Sequence, residues 1–204
     1  MNPKFIRGLE LVHSSFNHES LSVYLPMEMS LRFKLLLWWL KLKKRMSTNL
    51  PLIKIGQGGR GASKILFLLP SEKEYAPIAA HFVKQQTTDK EFHFVLHESG
   101  LPFYSNQVKE NLVTYSDEDL NILGLIQSKP ILDRINPIKF DAVVDLNRNL
   151  NQTLSFLVLD LDIPLKIGFQ SPVADQLFTM VIEPASDGFL EKSFDTIERI
   201  LGLA

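Results

Sequence analysis

Two short loops hold the residues best suited to chemistry. Ser71-Glu72-Lys73-Glu74 places two carboxylates beside a lysine directly after an apolar run. Asn147-Arg148-Asn149-Leu150-Asn151-Gln152 follows Asp145 and concentrates hydrogen-bonding side chains. Arg148 offers a planar fork that grips a phosphate or carboxylate through two parallel bonds. A helix predicted to start near Asn149 would aim its free N–H groups at the same place and favour an anion. Gln170 and Ser171 follow a later apolar run and would lie nearby. Ligand contact by Ser71, Asn147, Arg148, Asn149, Gln170 and Ser171 is one reading. Glu72 and Glu74 are the candidates for general acid or base work, which needs a carboxylate within reach of the transferred proton. The other reading is structural. Asparagine caps helices and forms turns, Asp145 closes a strand, and Glu72 and Glu74 sit in a solvated loop.

Other groups carry less. His93 and His97 share one face of a strand but stand about 13 Å apart, too far for one metal ion. His13, His18 and His81 show no metal-ligand spacing in the sequence. The chain has no cysteine, which excludes disulfides, thiolate catalysis and thiolate metal sites. Ser116-Asp117-Glu118-Asp119-Leu120 suits a helix cap better than a cation site. The glycine-rich stretch 56–63 precedes a strand and lacks Gly-Lys-Ser/Thr, whereas a phosphate loop follows a strand and opens a helix. No nucleophile elbow, dinucleotide fingerprint or zinc motif is present, so neither metal nor cofactor is expected. Net charge is −1, which gives no global field toward nucleic acid.

Residues 64–204 alternate strand and helix. Lys64–Pro70 is a continuous apolar run, the mark of a strand buried on both faces. Residues 75–86 are helical, with Ile78, Phe82 and Val83 on one stripe. Strands are predicted at 91–97, 111–116, 140–146, 165–169 and 178–184. A helical connection over 117–135 is interrupted by Pro130. Helices over Asn149–Leu161 and about Phe189–Leu203 complete the pattern. Alternation of this kind means a single Rossmann-like, doubly wound parallel sheet of about five or six strands, an α/β fold. With the order 3-2-1-4-5, the ligand crevice lies between the first and fourth strands, where the two loops meet.

Ahead of this domain stand an N-terminal arm, 1–55, and a flexible linker, 56–63. The arm contains a basic, apolar helix at about 26–47. Met29, Phe33, Leu36, Leu37 and Leu40 follow helical spacing, and Lys41, Lys43, Lys44 and Arg45 cluster at its end. Three uses are open. The helix packs on the domain, lies in an anionic membrane surface with Trp38 and Trp39 at the interface, or docks a protein partner. The helix after the fourth strand is apolar beyond its stripe, with Phe156 and Leu159 on other faces, so either the arm or a second subunit should cover it.

Lys64–Pro70 together with Phe140–Leu146, Leu150–Leu161 and Lys166–Phe169 resembles the N-terminal domain of the ADP-heptose–lipopolysaccharide heptosyltransferases. The segment from Gly168 to Leu201 is closer to small heptosyltransferase-like proteins of unknown function. The resemblance implies a Rossmann-like domain whose full-length relatives use a second such domain to hold the nucleotide-sugar. Those enzymes also carry a Gly-Asp pair after the first strand, where this chain has Ser71-Glu72-Lys73-Glu74, so no catalytic role transfers. The expected function is a non-catalytic binding or assembly module at the cytoplasmic face of a membrane. The alternative is a reduced glycosyltransferase or nucleotide-sugar-binding enzyme, completed by a partner or a homodimer.

Overall fold

The computed structural model describes residues 31–42, 62–85, 90–183 and 190–203. In chain order the elements are α1 (Leu31–Leu42), β1 (Lys64–Leu69), α2 (Ala76–Gln85), β2 (Glu91–His97), α3 (Asn106–Lys109), β3 (Leu112–Tyr115), α4 (Lys129–Ile135), β4 (Ala142–Asp145), α5 (Gln152–Asp160), β5 (Leu165–Phe169), α6 (Ala174–Leu177), β6 (Met180–Ile182) and α7 (Leu190–Leu201). The six strands pair in parallel in the order β3-β2-β1-β4-β5-β6. This is the doubly wound α/β arrangement that the alternation of elements predicts, and order reverses between β1 and β4.

Strand alternation divides the core in two. Ile65, Phe67 and Leu69 of β1 point to one layer with Phe82 of α2 and Phe194 and Ile197 of α7. Leu66 and Leu68 point to the other, with Leu154, Phe156 and Val158 of α5 and Phe33 and Leu37 of α1. β1 is buried on both sides because helices cover both faces. The arm therefore covers the apolar flank of α5. The Phe33 and Phe156 rings lie 4.9 Å apart at 55°.

Two lysines close helix ends. Lys166 Nζ donates to the Val158 and Leu161 carbonyls at the end of α5, at 2.5 and 2.7 Å. Lys90 Nζ donates to the Leu201 and Gly202 carbonyls after α7, at 2.7 and 2.8 Å. A cation here satisfies orphan carbonyls and opposes the helix dipole. Gly202 takes the left-handed conformation, φ 65°, that such an ending requires.

Local differences from the expected pattern have simple causes. Pro130 lies in the first turn of α4 rather than interrupting a helix, because proline at the first positions loses no helical hydrogen bond. Asp117–Asp119 is a short 3-10 turn with a Ser116–Asp119 capping box, as its acidic sequence suggests. The arm's residues 1–30 and 43–55, and linker residues 56–61, lie outside the described residues.

Candidate functional site

The crevice opens at the carboxyl ends of β1 and β4, and the loop after β1 is held from two sides. Tyr104 Oη donates to the Pro70 carbonyl at 2.8 Å. Gly100 lies against Ser71, where a methyl group would come within 3.0 Å of Ser71 Cα and 2.7 Å of Leu96 Cδ1. Only glycine allows that approach. The Glu72 carbonyl then accepts from the Tyr75 and Ala76 N–H groups at 3.0 and 2.8 Å and opens α2.

Across the crevice, Asp145 ends β4 at 5% exposure. Its Oδ1 accepts from the Asn147 backbone N–H at 3.0 Å and from Asn147 Nδ2 at 2.6 Å. Nδ2 also reaches the Leu68 carbonyl at 3.4 Å, which ties the loop back to β1. Burial pushes the Asp145 carboxyl up to about 7, against the pull of the two bonds from Asn147, and the Glu72 charge adds to the rise. Burial likewise pushes the Tyr115 phenol up to about 12, partly offset by a hydrogen bond with Asn151, with Asp145, Glu72 and Asp117 raising it further. Burial and the Glu72 charge move Tyr104 upward too. Glu72 is thus within electrostatic reach of three buried groups at this end of the sheet.

Among the described residues, Asn147, itself 4% exposed, finds no hydrogen-bond partner for Oδ1, nor does Ser171 for Oγ. Both line a cavity of about 10 Å³ with Asp145, Arg148, Asn149 and Phe178. That is room for about one water molecule. Phe178, part of this lining, packs against β5 at Gly168. A methyl group on Gly168 would fall 2.2 Å from the Phe178 ring, so Gly168 exists to admit that ring.

The expected ligand residues separate. Asn147, Arg148, Asn149 and Ser171 meet around the cavity, but Asn147 turns inward to Asp145. Ser71 is half-buried beneath Gly100, Glu74 is exposed, and Gln170 is exposed with its N–H on the Ile182 carbonyl. The helix begins at Gln152, not near Asn149. Asn151 is the cap: its Oδ1 accepts from the Leu154 N–H at 3.1 Å, and its carbonyl takes the Ser155 N–H. The free N–H groups at that end are thereby already engaged in part. His93 pairs with Glu91 at 2.7 Å, while His97 approaches Asp117 at 3.5 Å and bonds Ser99 through Nδ1. Among the described residues no three or more His, Asp or Glu side chains converge for a metal ion.

A second surface is built by α1. Phe33 and Leu37 are buried, whereas Leu31, Leu35 and Trp38 are 75%, 57% and 60% exposed. These three follow i, i+4, i+7 spacing and form an outward apolar stripe beside exposed Lys34. The side chains of Trp39 and Lys41, and Lys43, Lys44 and Arg45 altogether, lie outside the described residues. No described helix is long and apolar enough to cross a membrane.

Sequence reasoning passed over Tyr104, Tyr115 and Phe178, and treated Asp145 as a strand terminus. The available signal was a lone carboxylate ending an otherwise apolar strand. Comparison with protein-family models, with curated proteins and with solved structures returned no match.

Proposed function

We propose that this chain is a Rossmann-type docking module, related to heptosyltransferase N-terminal domains, that associates with anionic membrane surfaces through the outer face of α1. The observation that carries the reading is the Leu31, Leu35, Trp38 stripe, exposed on a helix whose other side is already packed through Phe33 and Leu37. An interfacial helix needs such an apolar face with an amphipathic aromatic ring and cationic flanks. Residues 31–45 supply six of the chain's 22 Lys and Arg residues and none of its 23 Asp and Glu.

The crevice favours docking over sugar transfer. Ligand pockets for drug-sized molecules hold roughly 300–1,000 Å³, and this one holds about 10 Å³. Two motif residues shared with the transferases have structural work here: Lys166 caps α5 and Gly168 admits Phe178.

Sedimentation with vesicles tests the reading. The full chain should pellet with vesicles rich in phosphatidylserine and stay in solution with neutral ones. Replacing Lys41, Lys43, Lys44 and Arg45 by Gln should remove the binding. Equal pelleting with both lipids, or none with either, overturns it.

A further inference from the structure

On the opposite side of the sheet from α1, the helices α2 and α7 enclose a groove of about 320 Å³. Its floor is apolar, from Ile78, Phe82 and Phe194. Its α7 wall carries Glu191, Asp195 and Glu198, again at i, i+4, i+7. The carboxylate row and the α1 stripe therefore run the same length, about 10 Å of helix each.

We propose that this groove receives the outer face of α1 from a second copy of the chain. Leu31, Leu35 and Trp38 would enter the apolar floor while Lys34 lies along the carboxylates. The argument is complementarity of two surfaces of one molecule, in shape of spacing, in apolarity and in charge. The charge is segregated along the chain: outside residues 31–45, 16 Lys and Arg face 23 Asp and Glu. Because the two surfaces lie on opposite faces of the sheet, a copy cannot satisfy its own groove. The contact is head-to-tail, so it adds copies, in a ring or a filament, rather than stopping at a two-fold pair. The inference rests on the reading of α1 as a docking face, and it makes membrane and second copy competitors for that face.

Sedimentation velocity of the full chain over a hundredfold concentration range tests it. Concentration-dependent association is expected, weakened at least tenfold by Glu191→Lys with Asp195→Lys and also by Lys34→Glu. Mixing those two variants should restore association, because an acidic α1 then meets a basic groove. Glu110→Lys, at an exposed turn that belongs neither to the groove lining nor to α1, should change nothing. A monomer at every concentration, association indifferent to the groove variants, or equal loss with Glu110→Lys overturns the proposal. Anionic vesicles should dissolve the assembly of the parent chain. Vesicle binding by the groove variants is expected to persist, which separates a failed groove from a failed membrane face. If vesicles do not bind but the groove variants still abolish association, the membrane reading falls and the groove stands.

Discussion

Replacing Asp145 by Asn tests the buried carboxyl at the crevice. In the folded chain this group is pushed from 3.8 to about 7 by burial. Between about pH 4 and pH 7 the folded chain holds a proton that the unfolded chain has released. Stability from this group is therefore complete below pH 4 and is lost as pH rises through 7. At about 1.4 kcal/mol for each tenfold, the gap sets a ceiling of ~4 kcal/mol on the loss. Asn keeps an oxygen for the two donors from Asn147 but cannot ionise, and it forfeits about 1 kcal/mol of bonding to a charged acceptor. Asp145→Asn should thus match or trail the parent at pH 4.5 and exceed it by about 1–3 kcal/mol at pH 8. Urea unfolding followed by circular dichroism at several pH values measures the difference. Subtracting the two curves removes the contributions of Asp119 and Glu91, whose carboxyls are lowered by hydrogen bonds. A difference that does not change with pH, or one that runs in the opposite direction, would refute the reasoning.

Three further substitutions probe the scaffold. Gly168→Ala should destabilise by about 1–3 kcal/mol through the clash with Phe178, and adding Phe178→Leu should recover part of it in the same urea experiment. Asn151→Ala should cost about 1 kcal/mol by uncapping α5, read from the thermal midpoint. Phe33→Ala should cost about 3 kcal/mol where α1 meets α5. Hydrogen exchange should then quicken in α1 while β1 and β4 stay protected.

The sheet was legible because its strands are continuous apolar runs separated by helical stripes. The apolar run Ile65–Leu69 reads as buried on both faces, and the observed strand order is the usual doubly wound one. Phe156 on the outer flank of α5 announced a covering element, and Phe33 supplies it. One-turn elements escaped: α3 and α6 have four residues each, too few to show a period. The helix starts later than Asn149: three asparagines within five residues all suit a cap, and Asn147 turns to Asp145 while Asn151 takes the Leu154 N–H. The site was legible as a place but not as a space. Asn147 and Ser171 do meet beside Asp145, yet the lining also takes in Phe178, which arrives from beyond β5. The α2–α7 groove joins segments more than a hundred residues apart, and no local pattern encodes that pairing.

The most direct test of the docking face follows the tryptophan on it. In a Trp39→Phe background, Trp38 reports alone, since the chain has two tryptophans. At dilutions where the chain is monomeric, emission should shift to the blue on mixing with phosphatidylserine-rich vesicles and should be quenched by brominated acyl chains. Vesicle binding that leaves Trp38 emission unmoved and unquenched would contradict the account, because the membrane would then be touching some other face.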